Sequence, residues 1–506
     1  MRYLTLSVLL FVIAPAWSQT TWYVDDNAPS DPGPGDPMVS DPLEDGSVEH
    51  PFDAIQEAIF LCQDGDTVLV ANGRYTGLFN KNLDFGGKAV TVRSENGAAN
   101  CVIDCEGDGR GFYFRFGEGP DSVVNGFSIT NGQVSDYGGG IRCINSSSPV
   151  IINCIIIGNT ASTNGGGVYC NDSSSPTITN CTINDNTAVY GGGVYCRIGS
   201  PTLTNCTIND NTADGYGGGI YCRDSSSVIT NCTISGNTAS SFGGGISCYY
   251  SSSATLTNCT ISDNMGGSGA GVHCSENSSA TLTNCTISGN TADDGGGGAH
   301  CDYYSDITIT NCTITGNTAF DRGGGVHCDY RGDVYLVNSI LWGDTANEGA
   351  EIAISSSGTV TVSYSDVEYG WYGVFITPGG VLLWDHDTSI ALDPLLGSEG
   401  HLLSGSPCID TGDPDVLYSL YERDMDGQLR VWDGGSGWLV DMGADEYASH
   451  RPGDMDGDGD VDLSDLAALL SHYRETGDTT PAEGDFDFDG DVDLSDLAAL
   501  LGVYRR

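Results

Sequence analysis

Lysine is almost absent from this sequence. Lys81 and Lys88 are the only two in 506 residues, and 18 basic side chains face 68 acidic ones, a formal net charge of -50. A surface of that sign repels phosphate backbones and anionic headgroups, which argues against nucleic acid and acidic membranes as partners. Long apolar runs are lacking as well. Beyond Leu4 to Ala14, no stretch approaches the roughly 20 apolar residues that a spanning helix needs. That single run, with Arg2 before it and Ala16-Trp17-Ser18 after it, has the pattern of a secretory signal over residues 1–18. Export, cleavage near Gln19 and no transmembrane anchor are therefore expected. Helical periodicity is scarce in the middle of the chain, which excludes a helical repeat there.

What the chain has in abundance is glycine, 72 residues, much of it in triplets ahead of a cysteine. Aligned on the triplet, cysteines fall at 143, 170, 196, 222, 248, 274, 301 and 328, always 26 or 27 residues apart. A period this steady marks a solenoid. Within one copy Val168 and Cys170 share a parity, and Ile178, Cys181 and Ile183 are apolar in Thr-rich runs that favour strands. Ile178 and Cys181, three apart, would face opposite sides unless Asn180 adopts the left-handed region and bends the chain. The copy then predicts three short strands per circuit of a parallel β-helix. Stacking at about 4.8 Å turns each position into a ladder. Asn153, Asn180, Asn205, Asn231, Asn258, Asn284, Asn311 and Asn338 form one, with amides able to bond up the column. Two inward cysteine columns are expected, the second at 154, 181, 206, 232, 259, 285 and 312 and ending in Ser339. Parallel Cβ vectors suit buried thiols better than disulfides, and the spacing lacks the paired C-x2-C of zinc sites.

The Gly-Gly-Gly-[Ile/Val] triplet and the Ile-x-x-Asn pair, as in Ile183 to Asn186, resemble repeats of the polymorphic outer-membrane protein type over Gly138 to Ile340. The flanks resemble the pectate-lyase-like superfamily of right-handed β-helices, which implies an all-β solenoid. "PFDAIQEAIFLC", with Phe52, Ile55, Ala58 and Ile59 on one helical face, is expected to cap the amino-terminal end. "SPCIDTGD" and "DMGADEY", residues 406–413 and 441–447, are expected to cap the other. The domain reading is 19–137 for the cap and first coils, 138–340 for the regular repeats, 341–447 for the last coils and second cap, 448–453 for a linker, and 454–506 for a separate module.

That module holds the strongest chemical signal. "DMDGDGDVDLSDLAALL" from Asp454 recurs as "DFDFDGDVDLSDLAALL" from Asp485. A 12-residue calcium loop takes oxygens from positions 1, 3, 5, 7, 9 and 12 with Gly at 6. Asp454, Asp456, Asp458, Asp460, Asp462 and Asp465 match that pattern, as do Asp485, Asp487, Asp489, Asp491, Asp493 and Asp496. Each loop is followed by one short amphipathic helix, and two such units resemble a type I dockerin. The resemblance implies calcium as cofactor and a cohesin-like protein as partner. It places the partner contacts at loop positions 10 and 11, which are Leu463 and Ser464, and Leu494 and Ser495.

Catalytic signals are thin. Only Arg142, Arg197, Arg223, Arg322 and Arg331 are basic between Gly138 and Ile340, and the Gly-His-Gly and Arg-x-Lys signatures of polygalacturonase-like glycosidases are missing. The residue before each first-column cysteine forms a ladder that alternation predicts to be solvent-facing. It carries Tyr169, Tyr195 and Tyr221, then Ser247, then His273, His300 and His327. This is a candidate sugar-stacking strip or weak metal site. Asp302 and Asp329, stacked beside His300 and His327, are the candidate catalytic pair, since two carboxyls about 5 Å apart suit a retaining glycosidase. The expected function is a secreted, carbohydrate-contacting or adhesin-like scaffold docked through calcium. The alternative is a polysaccharide lyase or glycoside hydrolase, because dockerins commonly carry such enzymes.

Overall fold

The computed structural model describes residues 19–25, 43–397 and 400–416, most of 423–447, residues 463–474, and positions 492, 494, 497 and 500. The expected signal, residues 1–18, lies outside them. Among the described residues, strands wind into a parallel solenoid of four sheets, with 14, 11, 12 and 8 strands. A regular circuit contains Val168–Cys170, Thr177–Thr179, Thr182–Asn184 and Thr187–Ala188. The expected three strands are thus four. The two-residue strand was overlooked because it carries one inward side chain, Ala188, too little for a hydrophobic period to register. The sheets pass through residues 138 and 340 without a break, so these boundaries mark a change in sequence regularity and not a structural border.

The register is the one the repeat dictates. Cys143 pairs with Cys170, and so on in turn to Cys328, with both cysteine columns buried as thiols. Asn153 and its successors take φ values between 49° and 55°, and the bend places Ile178, Cys181 and Ile183 in one core. The amides of Asn153, Asn180, Asn205 and Asn231 bond up the column outside the core, as from Asn180 Nδ2 to Asn153 Oδ1 at 3.3 Å.

A second amide ladder runs inside the wall. Asn159, Asn186, Asn211, Asn237, Asn264, Asn290 and Asn317 are each at most 1 % exposed. From Asn186 on, each Oδ1 receives the Nδ2 of the coil before it, at 2.9 Å from Asn211 to Asn237 and 3.0 Å from Asn237 to Asn264, and Asn159 Oδ1 receives Gly132 N. This ladder explains the triplet in Gly191–Gly193. Gly191 needs φ +64°, a Cβ on Gly192 would lie 2.7 Å from Gly218 O in the next coil, and one on Gly193 would crowd the Asn211 amide at 3.0 Å. Three glycines serve three separate contacts. The ladder ends on Asp344, whose Oδ1 accepts from Asn317 Nδ2 at 2.9 Å.

Helix α1 (Ile55–Leu61) buries Ile55, Ala58 and Ile59 in the main core and packs on the first strands. The segment expected to cap the far end lies elsewhere. Ala444 N donates to Thr313 Oγ1 at 3.0 Å, Gly443 N to Asn338 O at 2.7 Å, and Asn284 Nδ2 to Arg423 O at 2.6 Å. Leu402, Cys408 and Met442 pack on Ile340. The segment is draped along the flank of successive coils, where Ile340 and Trp342 replace Thr313 and Thr315 of the preceding coil and offer an apolar seat.

Helix α2 (Leu463–His472) follows the first acidic loop, and its Leu469 packs with Val492 and Leu500 of the second copy. Leu463 and Ser464 lie in its first turn, Leu494 is exposed, and Ser495 lies outside the described residues. Asp454, Asp456, Asp458, Asp460, Asp462, Asp485, Asp487, Asp489, Asp491, Asp493 and Asp496 also fall outside the described residues, as does the Asp465 side chain. No helix of the described residues is long and apolar enough to cross a membrane.

Candidate functional site

The ladder before the first cysteine column is not solvent-facing. Tyr169, Tyr195 and Tyr221 are 3–4 % exposed, and His273, His300 and His327 are 1–6 % exposed. Alternation does direct them out of the core, but the turn leading into each Gly triplet folds over them. Tyr137 stacks on Tyr169 at 4.8 Å, Tyr190 on Tyr221 at 5.7 Å, and Phe242 on His273 at 4.7 Å. The tyrosines therefore form a closed aromatic column, with Tyr169 and Tyr195 centroids 5.2 Å apart, and not an exposed sugar-stacking strip. The signal was present in the sequence, in the aromatic residue set just before the triplets.

Asp302 and Asp329 are turned into the same wall, 6 % and 9 % exposed. A saccharide cannot lie between carboxyls covered in this way, so the retaining-glycosidase arrangement is not built here. Each carboxylate faces a histidine of the preceding coil: His273 Nε2 is 3.9 Å from Asp302 Oδ2, and His300 Nε2 is 3.4 Å from Asp329 Oδ1. His300 and His327 stack at 4.7 Å, 7° from parallel. Burial pushes His327 down to about 2, with His300 and Arg322 adding to the effect. Burial also lowers His273, whereas His300 is raised because Asp329 and Asp302 outweigh its desolvation. Next to these carboxylates, Tyr303 and Tyr330 are exposed and stack at 4.8 Å.

Two places among the described residues bring metal-ligating groups together. One is this pair of overlapping triads, His273-His300-Asp302 and His300-His327-Asp329. The other is Glu44, Asp53 and Glu57 beside helix α1, where burial together with Glu44 and Asp53 raises Glu57 to about 7.

A groove on the first coils was not anticipated. Between α1 and the strands near Phe112 lies a cavity of about 670 Å³. Phe60, Leu78 and Phe116 surround it, each at least 59 % exposed. Both lysines line it, with Arg110 and Arg115. Lys81 Nζ lies 3.3 Å from Glu106, Arg110 bonds Asp136 at 2.8 Å and Arg115 bonds Asp84 at 2.8 Å. Lys88 Nζ donates to Ile59 O and Phe60 O at 2.8 Å, closing the end of α1. Arg110 and Arg115 sit over the Tyr113 ring at 4.9 and 4.8 Å. The concentration of lysine before the repeats was the available signal.

Comparison with known proteins fits the winding described above. The model of the right-handed β-helix region matches residues 66–239 and 218–390, and the chain belongs to that family. No curated protein matches the sequence. Among solved structures, the pectate lyase Pel9A is similar at 16 % identity, covering 85 % of this chain and 96 % of its own, with TM-score 0.43. A rhamnogalacturonan lyase is similar at 10 % identity, covering 74 % and 87 %, with TM-score 0.36.

Proposed function

We propose that this protein is a secreted β-helix scaffold that contacts carbohydrate through its amino-terminal groove and is held to a cohesin-like partner by a calcium-loaded dockerin. The groove carries the reading. It joins exposed aromatic and aliphatic surface to a rim of alternating cations and carboxylates, which suits a ligand with apolar C–H faces and many hydroxyls. The titratable rungs of the repeats, by contrast, are covered. Support for the dockerin comes from the packing of Leu469 on Val492 and Leu500, which joins the two copies of the acidic loop-helix unit. Calcium on the twelve Asp of those loops would order them.

The test is a polysaccharide array probed with the mature chain, residues 19–506, in calcium, each spot assayed for retention and for release of reducing ends or unsaturated uronides. Retention without cleavage, lost in a Phe60→Ala, Phe116→Ala double variant, is expected. Cleavage would establish a polysaccharide lyase or glycoside hydrolase instead, and retention unchanged in the double variant would remove the groove from the reading.

A further inference from the structure

The histidine rungs present a problem in electrostatics. His273, His300, His327, Asp302 and Asp329 are all nine-tenths or more buried, and buried polar groups are normally bonded. Yet both ring nitrogens of His273 and of His300 make no hydrogen bond, nor do His327 Nδ1, Asp302 Oδ1 and Asp329 Oδ1. Leaving so many polar atoms dry within three adjacent coils is costly. Their nearest approaches are too long or misaligned for hydrogen bonds but have the length of a coordination edge. With metal–nitrogen and metal–oxygen bonds near 2.0–2.2 Å, the edge of a tetrahedral site is about 3.4 Å. His300 Nε2 and Asp329 Oδ1 are 3.4 Å apart, and within each triad all ligand atoms lie within 4.8 Å of one another.

The cover over the ladder changes at the same place. Where the ladder is aromatic, or begins with His273, it is roofed by Tyr137, Tyr190 and Phe242. The same register sets Ser268 above His300 and Gly295 above His327. A Cβ on Gly295 would come within 2.3 Å of His327 Nδ1, so the imidazole occupies the space a side chain would fill. The turn is thus thinned over His300 and His327, while His273 keeps its aromatic cover.

From this geometry we infer that the rungs of His273, His300, Asp302, His327 and Asp329 bind a divalent transition-metal ion of the zinc, cobalt or nickel class, one per chain, because both triads draw on His300. Imidazole and carboxylate ligands together select that class over calcium or magnesium, which take oxygen alone. The ion ties adjacent coils together at the level where the turn is thinnest. The site is distinct from the acidic loops and from the groove.

Because the rungs are covered, the ion enters during folding. The full mature chain is therefore expressed in zinc- or cobalt-supplemented medium, dialysed in excess calcium so that the acidic loops are filled, and analysed for bound metal and for visible absorption of the cobalt form. About one zinc per chain is expected, and a cobalt spectrum of nitrogen and oxygen ligands without thiolate charge transfer. His300→Ala should lower the zinc content at least roughly tenfold. An Asp302→Asn, Asp329→Asn variant, which keeps side-chain shape, should do the same with the β signal unchanged. Wild-type protein without bound zinc overturns the inference. So does metal retained in both variants, or a cobalt spectrum with thiolate bands, which would move the ion to the cysteine columns.

Discussion

Asn237 stands in the middle of the buried ladder, and its removal tests whether that ladder holds the coils together. Its Oδ1 accepts from Asn211 N at 3.1 Å and Asn211 Nδ2 at 2.9 Å, and its Nδ2 donates to Ile208 O at 2.8 Å and Asn264 Oδ1 at 3.0 Å. Asn237→Ala deletes all of these. At about 1 kcal/mol net for each bond, the loss is about 4 kcal/mol, and the donors of Asn211 left dry raise it to about 4–6 kcal/mol. The comparison is Asn205→Ala in the exposed ladder. There two exposed amide bonds are lost, one donated to Asn180 and one accepted from Asn231, and the left-handed φ of 53° becomes strained, for a total of about 1–3 kcal/mol. Urea unfolding followed by circular dichroism gives both values. Hydrogen exchange should show protection lost chiefly in the coils adjoining residue 237, because each coil touches only its neighbours. An Asn237→Ala cost below about 2 kcal/mol, or one equal to that of Asn205→Ala, would refute the assignment of stability to the inner ladder.

Other outcomes follow from the same wall. Asp344 and Glu351 form a buried carboxyl pair, Asp344 raised to about 6 by burial and Glu351 raised by burial and by Asp344. Both folded values lie above the unfolded ones, so the pair favours the folded state most in acid and loses that contribution as pH rises past about 4, Asp344 through about 6 and Glu351 on toward about 11. Glu351→Gln should flatten the decline in melting temperature between pH 5 and pH 9, recovering ~2–3 kcal/mol at the alkaline end; parallel curves for the two proteins would count against the pair. Ser339 already replaces cysteine in the second column, bonding Val337 O at 2.9 Å where Cys312 Sγ contacts Thr310 O at 3.1 Å. Cys312→Ser should therefore cost less than about 1.5 kcal/mol, and titration in denaturant without reductant should find most cysteines reactive. A near-zero thiol count would overturn the buried-thiol columns. Chelation of calcium should abolish the helical signal of residues 463–472 and leave the β signal intact, and simultaneous melting would show that the rod and the module are one unit.

Much of this was legible because a solenoid repeats its environment. One coil's worth of inward positions, read eight times over, left little freedom: the cysteine columns, the bend at Asn180 and the parallel register all follow from a 26- or 27-residue period and the steric rules of a strand. The inner ladder was missed although every Asn of it stood in plain view. Asn186 reads as a polar residue in a turn, and only the winding puts it under Gly167 with its amide shut off from water.

The exposure of the Tyr and His ladder was misjudged on the same ground. From alternation alone, Tyr169 and His300 point away from the core, and they do; period two fixes a direction relative to the sheet but says nothing about what lies beyond it. The roof over them comes from residues of the preceding coil, and whether it is Phe242 or Gly295 decides whether an aromatic ring or the histidine itself fills the space. The seating of Leu402, Cys408 and Met442 on Ile340 and the gathering of Lys81, Lys88, Arg110 and Arg115 around one groove likewise join positions far apart in the chain. Local sterics and repetition thus determined the rod from sequence by itself. Burial, and with it the chemistry of every titratable rung, was decided by which coil covers which, a relation that exists only once the chain is wound.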